Sequence, residues 1–291
     1  MHLITGASGM MGGAVLEETR KRGRSIKAMY RDTEDAKKAP AGVQTVIGDY
    51  ANKESLRKAF EGIDSLYLVC SPIPQLVELE SNAIEVCAEK RVPYVVLNSS
   101  LGAEDYAKSF PGWHRKVEEK LKSSGLKYTI LRPNSFMQNI LAFHAPSIRA
   151  EGAFYSSMGD ARVCLIDVRD IARVVANLLE SPAGHFGQTY ELNGPEALTY
   201  AEIAEEISGV AGRTVKYVDI PEDAQRKAML DQKMPEWLVT ALLDLQRYYT
   251  VERKGGEVND VLERLLERAP IRLDQFLQEN QESFRAQAAG A

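Results

Sequence analysis

Thr5-Gly6-Ala7-Ser8-Gly9-Met10-Met11-Gly12 spaces its glycines as G-x-x-G-x-x-G, and Gly13 follows. Residues without a Cβ in that pattern suit anion chemistry. The first permits a tight turn, the second lets backbone approach a pyrophosphate, and the third allows a helix to pack closely on a strand. A helix starting there turns its unpaired N–H groups and positive dipole end toward the phosphates. A flexible turn before a helix is the plainer reading of the same residues, so context decides. HLIT (2–5) is a strand candidate before the cluster and AVLEETRKR (14–22) a helix candidate after it. Strand–glycine–helix order is the setting of a dinucleotide site.

The end of the second strand selects the dinucleotide. An acidic residue there binds the ribose 2′-hydroxyl, whereas arginine's planar fork suits a 2′-phosphate. The chain reads AMYRDTED, placing Tyr30 at the strand end and Arg31 after it. NADP(H) is favoured. Asp32 keeps NAD(H) open, because its carboxylate could turn inward.

Further elements must carry these positions. Strand candidates are SIKAMY (25–30), VQTVIG (43–48), SLYLVC (65–70), YVVLNS (94–99) and YTILRP (128–133), several of them almost continuously apolar. Such runs fit strands covered on both faces. Between them, Leu76, Leu79, Ala83 and Val86 recur at helical spacing, as do Val117 and Leu121. The alternation predicts an α/β fold, a doubly wound parallel sheet of Rossmann type.

After residue 134 the rhythm changes. NSFMQNILAF reads as a helix or loop and helix, VCLIDVRDIARVVANLLE as an extended piece and a helix, and TYELNG and TVKYVDI as strands. Thr199 with Glu202 forms a capping-box pattern. Helices are expected near 222–232, 236–247, 258–267 and 273–285, and RKGGEVND (253–260) reads as a mobile turn, with an ordinary surface loop favoured over a lid. The expected organisation is a dinucleotide-binding domain over 1–133 and a smaller, mostly helical substrate lobe over 134–291. Segments near 161–195 return to the first domain.

The net charge of −5 and the lack of a long basic run point away from nucleic acid and anionic membrane surfaces. No apolar run reaches the roughly 18 residues a membrane helix needs. The opening MHLITG lacks signal-peptide features, and the three cysteines, Cys70, Cys87 and Cys164, are odd in number and far apart. A cytoplasmic protein, monomer or homodimer, is expected. The four histidines show no metal-ligand spacing.

TGASGMMGG, YRD after strand two, GDYANKESLRKAFEGID (48–64), SGLKYTILRPNSFMQNIL (124–141) and IDVRDIARVVANLL (166–179) together resemble the NmrA-like branch of the atypical short-chain dehydrogenase/reductases. The resemblance implies an NADP-binding Rossmann domain, a C-terminal lobe and a substrate cleft between them. It further implies that Gly6, Ala7, Ser8, Gly9, Met10 and Met11 line the pyrophosphate and that Arg31 holds the 2′-phosphate. Asp49 and Tyr50 would sit by the adenine, Cys70, Ser71 and Pro72 near the ribose and nicotinamide, and Ser99 and Ser100 beside the nicotinamide.

Typical short-chain dehydrogenases carry Tyr-x-x-x-Lys on the helix after strand five. This chain has PGWHRKVEEKLKSSG there, with His114 and Glu118 at i and i+4 and no tyrosine four before a lysine. His114 is the candidate general acid; packing at the helix start beside Glu118 is the structural alternative. Tyr106, Trp113, Phe136 and Met137 could line an apolar pocket for a flat aromatic substrate or simply pack the core. Asn134 and Asn139 could bond ligand or backbone. The expected activity is NAD(P)H-dependent reduction of a quinone-like, azo or other conjugated small molecule. A non-catalytic NADP(H) sensor is the alternative.

Overall fold

The short apolar runs before residue 134 become strands. The structure, a computed structural model, describes residues 1–286. Its strands are β1 (His2–Ile4), β2 (Ile26–Tyr30), β3 (Gln44–Ile47), β4 (Ser65–Leu68), β5 (Val95–Asn98), β6 (Tyr128–Pro133), β7 (Ala153–Ser156), β8 (Gln188–Leu192) and β9 (Lys216–Asp219). The helices are α1 (Met10–Lys21), α2 (Thr33–Ala36), α3 (Lys53–Ala59), α4 (Leu76–Lys90), α5 (Ser109–Lys122), α6 (Ala145–Glu151), α7 (Val168–Glu180), α8 (Tyr200–Ala211), α9 (Glu222–Asp231), α10 (Glu236–Thr250), α11 (Val261–Leu266) and α12 (Leu273–Glu279). A π-helical turn, Ile140–His144, leads into α6, and a 3₁₀ turn, Gln281–Ser283, follows α12.

The chain divides into two compact units. The first comprises Met1–Pro133, Val168–Leu192 and Arg264–Glu267. Its seven-stranded sheet has the order β3-β2-β1-β4-β5-β6-β8, and every pairing is parallel. The strand order reverses between β1 and β4, the switch point at which open α/β sheets bind ligands. Leu3, Ile4, Leu66, Tyr67, Leu68, Val95, Val96 and Leu97 are fully buried, which explains the absence of polar alternation in these strands. A core cluster on one face of the sheet joins Leu3, Leu66, Leu68, Val95 and Leu97 to Leu56, Phe60, Leu76, Ala83, Cys87, Val117 and Leu121 from the covering elements.

The second unit comprises Asn134–Asp167, Asn193–Glu263 and the described chain from Arg268. It holds a two-stranded parallel sheet, β7 with β9, among helices. β7 follows Gly152, whose φ of +69° ends α6 in the left-handed region. The four-residue run AFYS is too short for its period to mark it as a strand. Thr199 and Glu202 form the expected capping box at α8.

Other expectations shift at their ends. α1 starts at Met10, not residue 14, because extended Gly9 serves as its N-cap. Two short helices, α2 and α3, add to the expected elements, and the side chains of Asp32 and Asn52 cap them. The turn at 253–260 is tied down: the Asn134 amide donates to the Gly255 carbonyl at 2.9 Å, and Asn193 donates to the Glu257 carbonyl at 2.8 Å. Among the described residues no helix is long and apolar enough to cross a membrane.

Candidate functional site

The glycine turn is built by close approach. Gly6 has φ +59°, and an added Cβ would lie 3.0 Å from Val69 Cγ1. At Gly12 a Cβ would stand 2.1 Å from the Gly6 carbonyl oxygen, so α1 crosses the turn with no room for a side chain. The Gly9 amide donates to the Gly6 oxygen at 2.9 Å and tightens the loop. No side chain caps α1 and its first turn carries no acidic residue, so the N–H groups of Met10, Met11 and Gly12 keep the full positive end of the dipole. Ala7 and Met11 are buried, whereas Ser8 and Met10 lie open, Met10 with 49% of its surface exposed. Thr5 stitches the turn to β4, its hydroxyl donating to the Tyr67 oxygen at 2.8 Å and accepting from the Val69 amide at 3.1 Å. A bare cradle of this kind fits a pyrophosphate.

Arg31 lies exposed at the end of β2. The Asp32 carboxylate accepts from the Asp35 amide at 2.9 Å and caps α2. The side chain that left NAD(H) open is thereby engaged. Past β3, Asp49 accepts from the Ala51 amide at 2.9 Å, and the Tyr50 hydroxyl donates to the Val69 oxygen at 3.0 Å beside the glycine turn.

Past β4, Cys70 is half-buried and Ser71 and Pro72 are exposed. Burial, helped by Glu80, pushes the Cys70 thiol up to about 12, so it is a neutral thiol at physiological pH. Glu80 itself is fully buried, and neither carboxyl oxygen has a hydrogen-bond partner among the described residues. Burial raises it well above the ordinary value. Leu76, Glu80, Ala83 and Cys87 share the buried face of α4, a 4-3-4 spacing visible in the sequence, while Leu79 sits off it.

A carboxyl kept neutral in the fold costs nothing extra below its unfolded pKa near 4.5 and destabilises increasingly as pH rises toward its folded value. Glu80→Gln, neutral at every pH, should therefore gain stability on wild type between pH 5 and pH 9. Denaturant midpoints over that range measure the gain, which reaches about 1–3 kcal/mol. A pH-independent difference would contradict the assignment.

At the end of β5, Ser99 donates to Glu118 at 2.6 Å. Arg132, on β6, grips the same carboxylate through Nε at 2.9 Å and Nη2 at 2.8 Å, and its Nη1 reaches Glu104 at 2.5 Å. Ser99, Glu118 and Arg132 are all buried. Burial pushes Glu118 up, but Arg132 and Ser99 outweigh it and hold the carboxyl below its ordinary value. Ser100 is partly exposed, its hydroxyl bonded to the Leu101 carbonyl at 3.0 Å. The single charged residue inside YTILRP was the available signal for this network.

His114 does not bond to Glu118. It is 6% exposed, its Nδ1 has no partner among the described residues, and burial takes its pKa down to about 4 against the opposing pull of Glu118. The imidazole is neutral at pH 7. Any proton it gives comes from a neutral N–H, a far weaker acid than imidazolium.

Of the residues considered for substrate, Tyr106 is buried and Trp113 packs edge-on against Phe110 at 5.4 Å. Asn134 is 2% exposed and its amide is consumed within the second unit. It donates to Asn193 and Gly255, each at 2.9 Å, and accepts from Tyr249 at 2.9 Å and the Ser135 amide at 2.7 Å. Met137 is buried and lines no pocket described here. Phe136 borders a pocket with Asn139. Among the described residues no three His, Cys, Asp or Glu side chains gather as a metal site.

Known proteins resemble this chain in sequence and in fold. The sequence profile of the NmrA-like family matches residues 2–277. The NAD(P)H azoreductase of Xenophilus azovorans is 33% identical over 263 residues, covering 90% of this chain and 91% of that one. Quinone oxidoreductase 2 of Escherichia coli is 30% identical over 264 residues, covering 89% and 91%. The crystal structure of an NADPH-dependent quinone oxidoreductase of Escherichia coli complexed with NADPH superposes with a TM-score of 0.86 at 28% identity, over 97% of this chain and 99% of that one. Triphenylmethane reductase of Citrobacter, solved with NADP(H), shares the fold with a TM-score of 0.86 at 23% identity, over 96% and 99%. With the glycine turn at the switch point and a profile that spans nearly the whole chain, the protein belongs to the NmrA-like family.

Proposed function

We propose that this protein is an NAD(P)H-dependent reductase, NADP(H) preferred, that passes reducing equivalents to a quinone-like, azo or other conjugated small molecule. The observation that carries the reading is the uncapped, side-chain-free turn between β1 and α1, where a Cβ on Gly12 would stand 2.1 Å from the Gly6 oxygen. In this reading Gly6–Met11 clasp the pyrophosphate and Arg31 the 2′-phosphate. Asp49 and Tyr50 flank the adenine, and Cys70, Ser71, Pro72, Ser99 and Ser100 approach the ribose and nicotinamide. When bound, the reduced nicotinamide supplies hydride. The relatives named azoreductase and quinone oxidoreductase support the acceptor class.

The protein's own groups fit acceptors that need little proton assistance. The Ser99 hydroxyl gives its proton to Glu118, which Arg132 already neutralises. His114 is uncharged at neutral pH. An acceptor that delocalises the arriving electron pair can take its proton from solvent.

Arg31→Ala should weaken NADPH roughly 10–100-fold, the value of a lost charge-assisted contact, and leave NADH almost unchanged. Titration of each nucleotide by protein fluorescence reads the ratio. Equal losses would remove Arg31 from its role. Absence of NADPH oxidation across a broad quinone and azo panel, with nucleotide binding intact, would instead favour a cofactor sensor.

A further inference from the structure

Met10 is the methionine, of the eight in the chain, that the fold leaves open. Met11, Met29, Met137 and Met158 are buried, and Met1, Met229 and Met234 are partly covered. Met10 keeps 49% of its surface exposed, and it does so as the first residue of α1, directly after the uncapped glycine turn. Side chains on a helix tilt toward its N-terminus, so this thioether leans toward the Gly6–Gly9 turn and not along the helix. Half of an apolar side chain gains nothing there from burial in the protein itself, and a nucleotide held by the turn would cover it.

Exposure and ionisation decide which sulfur an oxidant meets first. Thiols oxidise through their thiolates. Cys87 and Cys164 are buried, and half-buried Cys70 stays a neutral thiol because burial and Glu80 raise it to about 12. A thioether needs no deprotonation, so at Met10 access alone sets the rate. Hydrogen peroxide transfers one oxygen to the sulfur. The sulfur lone pair forms the S–O bond, the O–O bond breaks, and the proton of the transferred oxygen passes to the departing one, which leaves as water. The sulfur loses two electrons and the peroxide gains them. Methionine sulfoxide results, an apolar side chain made polar, with an oxygen that accepts hydrogen bonds and cannot donate them.

We propose that Met10 is an oxidation site through which a hydroperoxide weakens nucleotide binding, and that bound nucleotide shields it. The new oxygen is an acceptor beside the unpaired N–H groups of the first turn of α1, the donors a pyrophosphate requires, so the two compete. Its dipole also turns negative charge toward the phosphates. The pyrophosphate is common to both cofactors, so NADPH and NADH lose affinity alike, in contrast to the selective loss expected of Arg31→Ala. The inference rests on the cofactor reading of this turn and adds a means of regulating it.

The test treats the full chain with dilute hydrogen peroxide, with and without NADP⁺, and follows the gain of one oxygen at each methionine by peptide mass spectrometry. Met10 should oxidise ahead of the others, and saturating NADP⁺ should slow it without slowing them. The oxidised protein, compared with its untreated form, should bind NADPH and NADH each roughly 3–10-fold more weakly at an unchanged melting temperature. Methionine sulfoxide reductase should restore both affinities. Met10→Leu, compared with its own untreated form, should lose nothing on treatment. Another methionine oxidised first, a Met10 that NADP⁺ does not shield, an oxidised protein that binds like the untreated one, or a loss that persists in Met10→Leu would each overturn the site while the untreated protein still binds NADPH. If the untreated protein binds neither nucleotide, the cofactor reading fails and the proposal falls with it.

Discussion

Gly12→Ala should all but abolish NADPH binding, weakening it at least ~100-fold, and should lower the melting temperature as well. The added methyl would stand 2.1 Å from the Gly6 carbonyl oxygen and 2.5 Å from that of Thr5. Both are backbone atoms, so no side chain can swing aside, and α1 must lift from the turn that follows β1. The N–H groups of its first turn then lose their aim at the phosphates, and Val15 and Leu16, buried on the same helix, lose packing. Gly13→Ala is the control. Its methyl would meet nothing closer than the Ala7 oxygen at 3.4 Å, ordinary contact distance. Alanine inside a helix also gains roughly 0.5–1 kcal/mol over glycine. Fluorescence titration and thermal melts of the pair separate the two effects. A Gly12→Ala protein that holds NADPH within about threefold of wild type would contradict the cradle.

Glu118→Ala should cost about 3 kcal/mol of stability, the lower part of the range for breaking a buried ion pair. The exposed Glu104 stays bonded to Arg132 and softens the loss. Removing the carboxylate strips Arg132 of two hydrogen bonds in a buried site and frees the Ser99 hydroxyl. The effect should therefore reach beyond stability, because Ser99 regains a proton to donate at the end of β5. Glu118→Gln keeps the shape and loses the charge, and should fall between wild type and alanine. Urea unfolding of the three proteins measures the series. Equal stability of Glu118→Ala and wild type would mean that the pair contributes nothing net. Because the carboxyl sits below its ordinary value in the fold, its contribution is present at neutral pH and fades as pH falls through the acid range.

Much of this was legible in the residues because short-range rules governed it. The glycine spacing, the continuous apolar strands and the Thr199–Glu202 box each state their conformation within a few positions. The strand sequence β1–β6 follows from the same alternation. What stayed hidden depends on partners distant in the chain. Nothing near Asn134 announces that Asn193, Tyr249 and Gly255 will take up its amide. Nothing near His114 announces that Arg132 and Ser99 will claim the carboxylate one turn away. Glu80 is a different miss. Its place on the buried face of α4 was written in the spacing, yet a carboxyl reads as surface because burial normally costs it too much. β7, α2 and α3, of 4, 4 and 7 residues, are too short for a period to show, even though Asp32 and Asn52 are good caps for the two helices.

The first unit is assembled from three separated lengths of chain, and its last piece is Arg264–Glu267. The sheet edge β8 pairs with β6 only after more than fifty intervening residues have been made. On the ribosome, then, six strands emerge with β6 still an unprotected border, and the nascent chain carries that sticky margin until Gln188–Leu192 arrives to cover it. No fragment that stops at Pro133 contains the finished sheet, and any uninterrupted stretch that does contain it carries Asn134–Asp167 of the second unit as well.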